Sequence, residues 1–139
     1  MVANKEIGVL RSCVKKILKV SLSLAFLGVL FFEIFADKII GLYLGKSFLE
    51  ISAIARMIAI GVIPYTIFVT MRSVIDSYHV KAFNTKNILI SLFFLLLCGG
   101  LTMLISGNYK YLVIEFILAL SLLGMLTLLE IIKIFKENA

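Results

Sequence analysis

The sequence predicts an all-α membrane protein: four transmembrane helices preceded by a basic amphipathic interfacial helix, together forming part of a larger, transporter-like helical bundle. Three observations carry that prediction. The 139 residues are 62% hydrophobic and only 16% charged, a balance far from that of an ordinary soluble domain. Four apolar runs recur, at 20–36, 57–71, 88–105 and 111–129, and with their flanks they reach the roughly 20 residues that cross about 30 Å of hydrocarbon. The runs lack the alternation of barrel strands, and lipid tolerates no unpaired backbone, so each span is expected to be a helix. Approximate spans are 20–44, 48–77, 86–106 and 110–134, which make one transmembrane domain over 20–136 after a cytoplasmic segment at 1–19.

In that first segment Ile7, Leu10, Val14, Ile17 and Leu18 recur at helical spacings, while Arg11, Lys15 and Lys19 form a second stripe. The pattern suits a basic amphipathic helix lying on the membrane surface before the chain turns inward. A positive flank that only fixes topology explains the same residues. The apolar stretch that follows is too long for a signal peptide, is followed by Glu33, Asp37 and Lys38, and offers no clear small-x-small cleavage site, so it reads as a retained span. Ten Lys and Arg fall in the N-terminal segment, the loop between the second and third spans, and the C-terminus; three, Lys38, Lys46 and Lys110, fall on the other side. Basic residues favour the cytoplasm, which predicts a multi-pass cell-membrane protein with both termini cytoplasmic.

The first span should stop at Gly45, with Ser47 and Glu50 forming an S-x-x-E capping box for the next helix. Gly41 and Gly45 also match G-x-x-x-G, a spacing that lets membrane helices approach closely. In the second span the only proline, Pro64, lies in GVIPYTI and predicts a kink, either a static bend or a hinge. That helix should project beyond the hydrocarbon and carry Arg72 and Asp76, four residues apart, into the cytoplasmic interface, where they pair weakly. Asn84 or Thr85 is the expected N-cap of the third span. Ser91, Cys98, Thr102 and Ser106, with Gly99 and Gly100, then mark a packing face, and Ala119, Ser121, Gly124 and Thr127 mark one on the fourth span.

Ionisable groups inside spans are costly and point to function. Glu33 and Arg56 fall at similar depth on adjacent antiparallel helices, so they are expected to face a shared polar interior, either as a structural ion pair or as a substrate-binding site in which Arg56 attracts a phosphate. Glu115 lies close enough to its helix start to reach the interface. Cys13 and Cys98 fall far apart in a basic and an apolar segment and imply neither a disulfide nor a metal site.

Catalysis has no visible seat. G-x-x-x-x-G-K-[ST], H-E-x-x-H and G-x-S-x-G are all absent, and the single histidine, His79, sits in a loop with no nucleophile or metal set beside it. No catalytic residue, metal or cofactor is expected, and no nucleic-acid partner, because topology accounts for the positive charge. Membrane lipid is the expected partner.

The stretch LEISAIARMIAIGVIPYTIFVTMRSVIDSYHVKAFNTKNILISL, with its internal Ile-Pro-Tyr, its Arg-x-x-x-Asp exit and its short Asn- and Lys-bearing loop, resembles the polysaccharide and oligosaccharide flippases of the multidrug/oligosaccharidyl-lipid/polysaccharide exporter superfamily. The preceding LRSCVKKILKVSLSLAFLGVLFFEIFADKIIGLYLG resembles that family's basic linker helix and the first span of its second half. The likeness ends after Ile105, where SGNYKYLVIEF lacks a glycine-rich entry. It implies passage of lipid-linked saccharide between two six-helix lobes by alternating access, and places this chain at the start of the second lobe. Four spans cannot enclose such a cavity, so a missing N-terminal half or another membrane subunit is implied. A small non-transporting scaffold or assembly subunit is the alternative expectation.

Overall fold

The computed structural model describes residues 2–45, 51–78 and 82–137, and all of its regular elements are helices. They are α1 (Val2–Tyr43), α2 (Ile51–Ile60), α3 (Val62–Tyr78), α4 (Phe83–Ile105) and α5 (Tyr109–Glu137). Three of them, α1 over Gly8–Tyr43, α4 and α5, are long and apolar enough to cross a membrane, the property of a membrane protein. The α2 and α3 helices meet that criterion only together, across a bend of 41°.

Helix ends follow the local sequence. Gly45 adopts φ +90° just past α1, a conformation open to glycine, and the Leu44 N–H still reaches Ile40 O at 2.8 Å. Gly107, at φ +60°, closes the turn between α4 and α5, and Asn108 caps α5 by accepting the Lys110 N–H at 3.0 Å. Ser47, Glu50, His79 and Lys81 lie outside the described residues, so the expected capping box does as well.

Two expectations are corrected. No turn separates 1–19 from the first span: α1 runs unbroken for 42 residues, about 63 Å at 1.5 Å per residue. Nothing between Lys16 and Phe35 breaks a helix, and the Leu10–Val14–Leu18 stripe docks on protein instead of lying on lipid. Val14 is buried in the core cluster with Met71, Ile75, Ile131, Ile134 and Phe135, and the Arg11 guanidinium sits 5.9 Å from the Phe135 ring centroid. Asn84 and Thr85 are not N-caps either: Ala82 precedes the helix without a side-chain cap bond, and Asn84 turns inward to α3.

The kink falls at Gly61, one turn before Pro64. The proline ring crowds the carbonyl four residues back, that of Ile60, so the backbone gives way between Ile60 and Val62. Gly61 N donates instead to Ile58 O at 2.9 Å, and the next bond, Tyr65 N to Gly61 O, is long at 3.2 Å. Beyond it, Thr66 and Thr70 hydroxyls donate to carbonyls one turn back, at 2.7 Å each. Hydroxyls in apolar helices are satisfied locally in this way, and Ser121 and Thr127 on α5 follow the same rule.

Neighbouring helices pack in the order α1, α2–α3, α5, α4. The small-residue face of α5 is packed, with Ala119, Gly124 and Thr127 buried and Ser121 half-buried, whereas on α4 only part of the expected face is: Ser91 and Gly99 are buried, Cys98 and Thr102 half-buried, and Gly100 and Ser106 exposed. Gly61 lies against Leu120, Pro64 against Gly124, and Met71 and Ile75 against Ile131 and Ile134, so α3 and α5 run parallel. Both termini therefore lie at one end of the bundle. Outward faces are strongly apolar, as at Phe26, Phe31 and Ile34 on α1 and Phe93, Leu96 and Leu104 on α4.

Candidate functional site

Polar side chains that interrupt the apolar helices meet across helix pairs at three places among others. Near the end opposite the termini, two i,i+4 pairs on antiparallel helices face each other, Glu33 and Asp37 on α1 and Ser52 and Arg56 on α2. Arg56 Nη2 lies 3.0 Å from Asp37 Oδ2, and Nη1 lies 3.6 Å from Glu33 Oε2. Ser52, itself buried, adds a side-chain interaction to the Asp37 carboxylate. The expected Glu33–Arg56 pair therefore exists, and Asp37 is its stronger member by distance. Spacing could have revealed Asp37, since it lies one turn beyond Glu33 on the same helix face.

This cluster is not sealed. Arg56 and Glu33 side chains are each 33% exposed and Asp37 60%, so the guanidinium keeps donors free for a further acceptor. Lys38, next along α1, holds its ammonium 5.7 Å from the Phe35 ring centroid. Immediately toward the bend, α1 and α2 part around a groove of about 530 Å³, lined only by apolar residues.

Arg72 and Asp76, expected to pair, make no ion pair with each other. Both are exposed near the end of α3 and are joined through α4: Asn84 Nδ2 donates to Arg72 O at 2.9 Å and to Asp76 Oδ1 at 2.6 Å. The reverse order of charges, cation before anion along the helix, makes their direct pairing the weaker choice. Asn84, Asn87 and Ser91 form a buried polar stripe along the first turns of α4, with Asn84 Oδ1, Asn87 Nδ2 and Ser91 Oγ making no protein hydrogen bond.

The third place is between α4 and α5, where Thr102 Oγ1 donates to Glu115 Oε1 and holds a carboxyl group beneath Gly99. Among the described residues no three His, Cys, Asp or Glu gather as they would around a metal ion. Cys13 is exposed and Cys98 half-buried, both as free thiols. The chain matches none of the protein-family models, curated proteins or solved structures with which it was compared.

Proposed function

We propose that the chain is a four-span integral protein of the cell membrane that acts as part of a larger transport assembly for lipid-linked oligosaccharide or polysaccharide precursors, of the flippase kind its sequence resembles. The reading takes α2 and α3 as one broken span and puts both termini in the cytoplasm, following the distribution of Lys and Arg. Its main support is the coincidence, on one helix pair, of a partly exposed Arg56 and a bent span. An arginine at this depth offers a forked donor to a phosphate-linked cargo, and the bend at Gly61 gives the helix that carries it a place to move. The apolar outer faces of α1 and α4 leave room for further helices of the assembly.

A specific observation favours the second reading, a non-transporting scaffold or assembly subunit. Arg56 already faces two carboxylates, which compensate its charge without any cargo. Complementation separates the two readings. In a strain lacking its own lipid-linked oligosaccharide flippase, the chain with its upstream coding sequence is expected to restore export, and Arg56→Gln to abolish that rescue. Absence of rescue by the chain either alone or with that sequence would leave only the scaffold.

A further inference from the structure

The groove between α1 and α2 begins one residue from the ion cluster. Phe32 adjoins Glu33 and Ala55 adjoins Arg56, and from there the groove follows α1 back to Ala25, about 10 Å at helical rise. On the facing side it runs past Ala59 to Val62, the first residue beyond the bend. Small residues, Ala25, Gly28, Ala55 and Ala59, make the groove, and the bend keeps α2–α3 from closing it. Its volume of about 530 Å³ lies within the range of small-ligand sites. An all-apolar floor beneath a charged mouth is the shape of an amphiphile site, with the mouth toward the membrane surface and the floor toward the hydrocarbon.

The charges at the mouth select the headgroup. Glu33 and Asp37 outnumber Arg56, and Lys38 turns to the Phe35 ring, so the cluster at the mouth carries one net negative formal charge, with its cation and anions separated. An anionic headgroup would add a charge with nothing to offset it. One that carries a phosphate and a primary ammonium meets Arg56 with its acceptor oxygens and the 60% exposed Asp37 with N–H donors, and adds no net charge. A neighbouring apolar helix in the same groove would cover the exposed sides of the Arg56–Asp37 pair without offering either residue a further hydrogen-bond partner.

We propose that this groove holds an acyl chain of a zwitterionic aminophospholipid, whose phosphate sits on Arg56 and whose ammonium sits on Asp37 and Glu33. The site rests on the membrane placement proposed above and is independent of cargo transport, so the lipid is a resident of the α1–α2 crevice. It would brace the α1–α2 pair beside the bend.

Native mass spectrometry of the full chain, extracted in mild detergent and mixed with equal amounts of phosphatidylethanolamine and phosphatidylglycerol, tests this. Phosphatidylethanolamine is expected to be retained about tenfold better, the weight of roughly one charge-assisted contact. Asp37→Asn should bring the two lipids level. Gly28→Leu should abolish the adduct while keeping the helical melting curve, because a Cβ at Gly28 meets nothing within 4 Å and the added side chain fills the groove. Equal retention of both lipids by the unaltered chain, preference for phosphatidylglycerol, or an adduct that survives Gly28→Leu would overturn the proposal. A lipid-free dimer dissociated by Gly28→Leu would overturn it in favour of a second copy. Failure of the membrane placement itself is read separately, as recovery of the chain from the soluble fraction without detergent, whatever the result of the complementation.

Discussion

Gly124 on α5 and Pro64 on α3 are in backbone contact: a Cβ at position 124 would lie 2.6 Å from the Pro64 carbonyl oxygen and 3.3 Å from its carbonyl carbon. That carbonyl belongs to the kinked segment and cannot swing away as a side-chain tip could. Gly124→Ala is therefore expected to destabilise the bundle by about 1–2 kcal/mol, overpacking outweighing the gain in helix propensity of up to about 1 kcal/mol. Gly28→Ala, facing open space, should be neutral or slightly stabilising. Circular-dichroism melting of the detergent-purified variants compares the two, and equal midpoints would show that α3 and α5 do not close at this point.

Removing the cation from the Arg56 cluster should matter more than removing either anion. Arg56→Gln leaves Glu33 and Asp37 facing each other one turn apart, whereas Glu33→Gln or Asp37→Asn leaves an intact pair. The expected order of melting midpoints is wild type, Glu33→Gln, Asp37→Asn, then Arg56→Gln lowest. Exchanging Glu33 and Arg56 should not restore stability, because the new glutamate at 56 would confront Asp37. Restoration requires Asp37→Asn in the same chain.

Asn84 joins α3 to α4 through Asp76, which makes the junction sensitive to charge. Asn84→Asp replaces a donor at 2.6 Å from a carboxylate oxygen with a second carboxylate. Two carboxylates so close share a proton, so the variant binds one in the folded state that it releases on unfolding. A proton held more tightly when folded stabilises at low pH and loses that support as pH rises. The variant should melt well below wild type at pH 7 and recover much of the difference as pH falls toward about 4–5. Parallel melting curves at the two pH values would remove Asn84 from this contact.

Thr102 donates to one oxygen of Glu115 inside the bundle, while the other, Oε2, is buried without a hydrogen-bond partner. Thr102→Val keeps the shape but strands the carboxyl group, at a cost of about 1–3 kcal/mol, while Thr102→Ser should cost little. Thermal midpoints that rank valine no lower than serine would contradict the bond.

Membrane orientation is open to direct chemistry because Cys13 is exposed and Cys98 only half-exposed. A membrane-impermeant maleimide is expected to leave Cys13 unlabelled in intact cells and to label it after permeabilisation. In a chain with both cysteines replaced by serine, Tyr43→Cys, at the opposite end of α1 and 82% exposed, should label in intact cells. The reverse pattern would invert the proposed topology.

Much of this fold was legible because lipid leaves the chain few options. Apolar length located the helix ends near 44, 77, 106 and 110, and antiparallel depth paired Glu33 with Arg56. Asp37, one turn farther out and beside Lys38, has in the sequence the look of a polar flank to the span, which hides its place in the ion cluster. Asn84 looked like a helix cap because asparagine at a helix start commonly is one, but cap propensity is local, while the acceptors it found, Arg72 O and Asp76, lie across a loop. The continuity of α1 was hidden for a related reason. A stripe of Leu10, Val14 and Leu18 looks the same whether it will meet lipid or Met71, Ile131 and Phe135, and only the assembled bundle decides between them.

Because α1 has no joint, Cys13 and Asp37 belong to one rod and stand about 36 Å apart along it. A tilt of that rod displaces its two ends in opposite directions about whatever point Val14 and its neighbours hold fixed. The α2–α3 pair alongside changes direction by 41° at Gly61. Straight beside bent, the two leave a gap that a tilt of α1 would widen or narrow at the far end, where Glu33 and Arg56 stand 3.6 Å apart, so the separation of those two side chains reads the angle at which α1 sits in the bundle.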